Sequence, residues 1–302
     1  MRRTACASRI EREDETVTKK VILAASVLAL FSSPVMLTKA TADPADATLT
    51  IDGKEMTVKT AAPEGHPFDT LYSGWLYREP ETRALEEDSF ENPGMFGVEQ
   101  GAELWSVVEG TAGKSCESCH AEPEVDMKGV GASFPKWDAD AKRPINIELQ
   151  IDKCREENMG AEPYKFDAAE QKALTAFIKH QSLGMPVKLD LSQGELQTWW
   201  DRGKELYYTR TGQLNLSCSN CHEDHNGQMI RADHLSQGQV NGFPTYRLKQ
   251  SKLISLHNRF RGCVRDTRAE IPKAFSDDLM ALETYVTWRG TGLSVETPAV
   301  RQ

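Results

Sequence analysis

Two pentapeptides constrain this chain more than any other feature: Cys116-Glu117-Ser118-Cys119-His120 and Cys218-Ser219-Asn220-Cys221-His222. Each spaces two thiols to add to the vinyl groups of a haem, and places an imidazole beside them for one axial face of the iron. A thioredoxin-like redox pair shares the Cys-x-x-Cys but requires neither the trailing histidine nor a second copy. A zinc site draws on the same residue types. The duplicated motif predicts two covalently bound haem c groups. Cys116 and Cys119 would hold the first, Cys218 and Cys221 the second, with His120 and His222 as iron ligands.

The flanking sequence repeats with the motifs, at a period of about a hundred residues, which means two copies of one domain. Gly101-Ala102-Glu103-Leu104-Trp105 precedes the first motif as Gly203-Lys204-Glu205-Leu206-Tyr207 precedes the second. Phe134-Pro135-Lys136-Trp137 matches Phe243-Pro244-Thr245-Tyr246, and Ala173 to Ile178 matches Ala281 to Val286. Apolar residues at helical spacing predict helices over 193–208, 167–180 and 276–288. The expected fold is mainly α: two tandem class I cytochrome c-like domains related by internal duplication, at 101–187 and 188–302. Residues 185–191 read as a linker. Residues 43–100, with Pro63, Pro67, Pro80 and Pro93, have no counterpart and read as an irregular N-terminal arm covering the first domain.

Lys19-Lys20, the apolar run from Val21 to Leu37 and Ala40-Thr41-Ala42 have the layout of a signal peptide over 1–42, cleaved after Ala42. That predicts export to the periplasm, no membrane span in the mature form, and loss of Cys6. With a formal charge of -9, the chain lacks the basic surface that nucleic acid requires.

Six cysteines then remain, and two lie outside the motifs at equivalent places, Cys154 and Cys263. Met159 aligns with Arg268, so the copies do not share a methionine ligand. Paired thiolates therefore become the expected second axial ligands; a Cys154–Cys263 disulfide is the alternative. The surroundings differ. Arg259, Arg261, Arg265 and Arg268 surround Cys263, whereas Gln150 and Asp152 stand where the first two would be. Guanidinium forks suit a sulfur oxyanion, so the second copy reads as the substrate site.

These residues resemble the SoxA family, dihaem subunits of a bacterial thiosulfate-oxidising cytochrome complex. The resemblance rests on both haem motifs, Cys154, the Arg259-Phe260-Arg261-Gly262-Cys263 segment and Arg268-Ala269-Glu270. It implies an L-cysteine S-thiosulfotransferase working with a monohaem cytochrome, SoxX. The pair would couple thiosulfate oxidatively to a cysteine of the carrier SoxYZ and pass two electrons to an external cytochrome c. It further implies His120 and Cys154 as ligands of the first iron, and His222 and Cys263 of the second. Cys263 would be the catalytic residue, carrying a persulfide, and Arg259 would bind substrate. A low-potential dihaem electron carrier, a thiosulfate dehydrogenase forming tetrathionate and a dihaem peroxidase are the competing readings.

Overall fold

The computed structural model describes residues 47–302, so the expected signal peptide lies outside the described residues. Two short hairpins come first, β1 (Leu49–Ile51) with β2 (Lys54–Met56) and β3 (Lys59–Ala61) with β4 (Thr70–Tyr72). Helices α1 (Pro80–Glu87) and α2 (Met95–Trp105) follow, then two short turns of helix, α3 (Pro123–Asp126) and α4 (Val130–Ser133). Hairpin β5 (Lys136–Asp138)–β6 (Arg143–Ile145) leads into α5 (Ile147–Cys154), and α6 (Ala169–His180) closes the first copy. The second copy runs through α7 (Leu196–Tyr208) and α8 (Cys218–His222) to a small hairpin, β7 (Met229–Ile230) with β8 (Asp233–His234). Hairpin β9 (Thr245–Arg247)–β10 (Lys252–Ile254), α9 (Leu256–Asp266), α10 (Asp277–Arg289) and β11 (Ala299–Arg301) complete the fold.

In each copy the helix before the motif crosses the closing helix at a glycine. A Cβ on Gly101 would lie 2.3 Å from the Ala173 carbonyl oxygen of α6, and one on Gly203 2.0 Å from that of Ala281 in α10. The missing side chain lets the backbones touch, and apolar neighbours fill the flanks: Trp105 against Phe177, and Tyr207 and Trp200 against Tyr285. Side-chain caps begin α5 and α9, where Asn146 accepts from Leu149 N at 3.0 Å and Ser255 from Asn258 N at 3.3 Å. The helix expected over 167–180 starts two residues late, at Ala169, because Asp167 takes a positive φ of 62°.

One register difference separates the copies. Thr111 and Ala112 donate to the carbonyls of Gly160 and Met159; Gln213 and Leu214 donate to those of Arg268 and Thr267. Met159 therefore corresponds to Thr267, not Arg268. The extra residue is absorbed by a π-turn at Arg155–Met159, just after Cys154, where the second copy continues as α-helix.

The N-terminal arm departs from its expected form in two ways. It contains regular elements, with a core of Leu49, Ile51, Met56, Val58, Trp75, Leu76 and Tyr77. It also binds chiefly to the second copy and its tail, not to the first. Ser73 Oγ donates to Glu296 at 2.7 Å, Tyr72 N to Gln237 at 2.9 Å, and Arg78 pairs with Asp233. Glu86 accepts from Val300 N at 2.9 Å and pairs with Arg301. The physical reason is the tail: β11 runs parallel to β9 and leaves Val300 N and the Arg301 guanidinium facing the arm, where Glu86 receives both. The expected linker is likewise part of the fold, because Val187 and Met185 exchange backbone hydrogen bonds with Leu293, Gly292 and Val295. No described helix is long and apolar enough to cross a membrane.

Candidate functional site

Both motifs adopt a tight helical turn that sets two thiols and an imidazole on one side. His120 N donates to Cys116 O at 2.9 Å, and Ser115 and Ser118 exchange hydrogen bonds that hold the turn. In the second copy Ser217 N donates to Asn220 Oδ1 at 3.0 Å, the capping arrangement of α8.

Across from the first motif lies Cys154, the last residue of α5. The two face one another over a cavity of about 260 Å³, whose other walls include Trp105, Met127, Ile151 and Met159. An apolar slot with two thiols and a histidine on one wall and a thiol on the other fits haem c. Burial, then the neighbouring Cys154, pushes the Cys116 thiol up in pKa. Gln150 Nε2 donates to Cys154 Sγ at 3.3 Å. The cations flanking Cys154 are all engaged elsewhere. Lys153 pairs with Asp138 at 2.9 Å, while Arg155 pairs with Glu109 and stacks over Tyr164 at 3.8 Å.

The second motif faces Cys263 of α9. Burial first, then Cys263 and Cys221, pushes the Cys218 thiol up to about 12. His222 Nδ1 donates to the Ser236 carbonyl at 2.8 Å, which fixes the tautomer and leaves Nε2 for a metal. Burial, with Arg259 and Arg289 adding to it, lowers this imidazole to about 4, keeping it neutral. Gly238 sits against the ring, where a Cβ would be 2.9 Å from its Cγ. This close-packed imidazole beside two thiols and opposite a third also fits haem c.

The four arginines expected around Cys263 do not act together. Arg261 donates to Pro272 O at 3.1 Å and covers the Phe166 ring at 5.1 Å. Arg265 pairs with Asp266 at 3.1 Å in solvent, and Arg268 occupies a turn at φ 60°. Among the described residues Arg259 makes no ion pair, and its charge bears on Cys221, His222 and Arg247. The structure adds Arg247 of β9, whose charge Arg259 and Cys263 both influence. Only comparison with Asp138 in the first copy could have singled it out.

All six cysteines among the described residues are free, and Cys154 and Cys263 face different motifs, so the disulfide alternative is not realised. Among the described residues no three His, Cys, Asp or Glu side chains converge as a zinc site would require. His225 binds Asn220 O at 2.6 Å in an exposed turn, and His234 lies beside Glu79.

The cytochrome c domain family described as SoxA/TsdA matches the chain twice, over 100–187 and 202–295. The chain is 69% identical to the L-cysteine S-thiosulfotransferase subunit SoxA of Pseudaminobacter salicylatoxidans, over 95% of this chain and 100% of that protein. It is 47% identical to the SoxA subunit of Paracoccus pantotrophus, over 93% of this chain and 97% of the relative. Its fold is similar to one in the crystal structure of SoxXA from P. pantotrophus, with a TM-score of 0.82. That match covers 86% of this chain and 100% of the other.

Proposed function

This chain belongs to the SoxA family, and on that premise we propose that it is the dihaem subunit of an L-cysteine S-thiosulfotransferase. It joins thiosulfate to a cysteine of the carrier SoxYZ in the periplasm, in complex with the monohaem subunit SoxX. The balanced reaction is R–SH plus S₂O₃²⁻ giving R–S–S–SO₃⁻, one proton and two electrons. Haem c, when bound, supplies the electron acceptor from which a further cytochrome c is served.

We read the chain as two copies of one domain, at 101–187 and 188–302, with unequal duties. His120 and Cys154 would ligate one iron, His222 and Cys263 the other. Cys263 is the catalytic residue, carrying the sulfane sulfur, and Arg259 draws the dianion to it. One observation carries this division. The two cysteines sit in matching helices, yet the cations beside Cys154 are spent on Asp138 and Glu109, whereas Arg259 has no acid partner among the described residues.

Parallel variants Cys263→Ser and Cys154→Ser test it. The first should abolish coupling of thiosulfate to the carrier while both haems remain attached, as read by pyridine haemochrome and intact mass. The second should retain a coupling product, at a reduced electron-transfer rate. Coupling at the wild-type rate by the Cys263→Ser complex contradicts the role given to that thiol. Tetrathionate formed without carrier would favour a thiosulfate dehydrogenase instead.

A further inference from the structure

From hairpin to cysteine the two copies compare residue by residue. Strand pairs β5–β6 and β9–β10 share one register, Asn146 and Ser255 cap the following helices, and the cysteines lie at the same distance beyond. In the first copy Lys153, immediately before Cys154, reaches back to Asp138 of the hairpin and also lies 3.4 Å from Asp140. That ion pair shuts the space between helix and hairpin. In the second copy the same two positions hold Gly262 and Arg247. The closing side chain has been removed, and the acid has become a base.

Nothing among the described residues requires a glycine at 262. A Cβ there would meet only the tip of Arg265, at 3.9 Å, and glycine weakens a helix interior relative to alanine. Its contrast with Gly101 and Gly203, each pressed against a backbone carbonyl, is direct. The space over Gly262 is open, and Arg247 comes from the strand behind it. The Arg247 side chain is 13% exposed. Its acidic neighbour, Asp233, stands 3.9 Å away and is already paired with Arg78. Arg259 and Arg301 act on it as like charges, and burial with these cations lowers its guanidinium to about 10. With Asp233 at the limit of an ion pair and shared with Arg78, such a group gains from a further anion.

We propose that Arg247 and Gly262 complete the substrate pocket at Cys263: Arg247 receives the sulfonate oxygens of thiosulfate together with Arg259, and Gly262 leaves the gap by which the sulfur compound reaches the thiol. Two guanidinium forks match a doubly charged tetrahedral oxyanion better than one. This rests on the thiosulfate reading above and names residues that the reading does not include.

The test uses the haem-loaded complex with its monohaem partner, thiosulfate and the carrier. Arg247→Gln should raise the KM for thiosulfate about tenfold or more, the worth of one charge-assisted contact, with a smaller change in kcat. Gly262→Leu should cut kcat/KM while haem content and melting temperature stay at wild-type values. Arg247→Asp with Gly262→Lys, which rebuilds the ion pair of the first copy, should fold, hold haem and lose turnover. Wild-type KM in Arg247→Gln, or wild-type kcat/KM in Gly262→Leu, overturns the proposal. So does a shifted haem spectrum in Arg247→Gln at unchanged KM, which would put that arginine on the haem edge. If the wild-type complex turns over no thiosulfate, the functional reading falls and the proposal with it. If it does turn over and Arg259→Gln is impaired while both new variants are not, only the proposal falls.

Discussion

Replacing Gly203 by alanine probes the helix crossing that frames the second motif. The new Cβ would lie 2.0 Å from the Ala281 carbonyl oxygen, 2.6 Å from its carbon and 2.8 Å from Tyr285 Cβ. Two of these are backbone atoms, so no rotamer change relieves the clash and α7 must move off α10. Overpacking of this kind costs about 1–3 kcal/mol, and a rigid obstacle places Gly203 at the upper end. Alanine recovers about 1 kcal/mol of helix propensity, leaving a net loss of about 2 kcal/mol. At about 2–4 °C per kcal/mol for a chain of this size, the melting temperature should fall by roughly 4–8 °C. Circular dichroism at a helix wavelength follows it, with Gly101→Ala in parallel, since its Cβ would lie 2.3 Å from Ala173 O. Gly262→Ala is the control. It gains the same propensity and meets no backbone, so it should melt at or above the wild type. A Gly203→Ala protein melting within a degree of wild type would refute the argument that the crossing needs a bare backbone.

Two further outcomes follow from buried charge. Glu148 shares a small cavity with Glu283 and Lys179, between the two copies. Burial, then Glu283, raises its pKa from 4.5 to about 7. A carboxyl raised on folding favours the folded state at low pH. That contribution is therefore complete below pH 4.5 and is lost as pH climbs towards 7. Melting temperature should decline across this window, and Glu148→Gln should flatten the decline; an unaltered slope in the variant counts against the assignment. Arg289 is fully buried, 2.7 Å from Glu223 and over the Tyr207 ring at 4.5 Å. Arg289→Met strands Glu223 and should cost about 3–5 kcal/mol in denaturant titrations, part of which Glu223→Gln restores in the double variant. A loss under 1 kcal/mol would show that the pair is not held as described.

Local signals served the sequence reading well and long-range ones escaped it. The haem motifs, the glycine-bearing helices and the paired cysteines are all spelled by residues close in sequence, and each recurs, so one copy checks the other. The arm's strands are three residues each, too short to show an alternating pattern. Most of its polar partners lie beyond residue 230, and no periodicity encodes that choice. Counting from the cysteine also misplaced Met159, because a π-turn adds a residue without changing the composition around it. Within the candidate site, the sequence proposes Arg259 from its position one helical turn before Cys263. The proposed Arg247 is harder to read, since it lies on a strand sixteen positions upstream and stands out only against Asp138 of the first copy.

The clasp formed by the arm, β9 and β11 has a bearing on when each half of the molecule can mature. Thioether formation needs a reactive thiolate, and in the folded chain burial suppresses ionisation of the Cys218 thiol. Attachment of haem c at this thiol is therefore favoured before closure over after it. The first half has its crossing helices and cavity within residues 95–180 and can shut soon after these emerge. The second cannot: β9 pairs with a strand at 299–301, and Glu86, made long before, waits for Arg301. Contacts that distant in sequence form slowly. The same clasp that closes over the second motif also prolongs the interval in which its cysteines remain accessible, giving the two motifs different schedules on one chain.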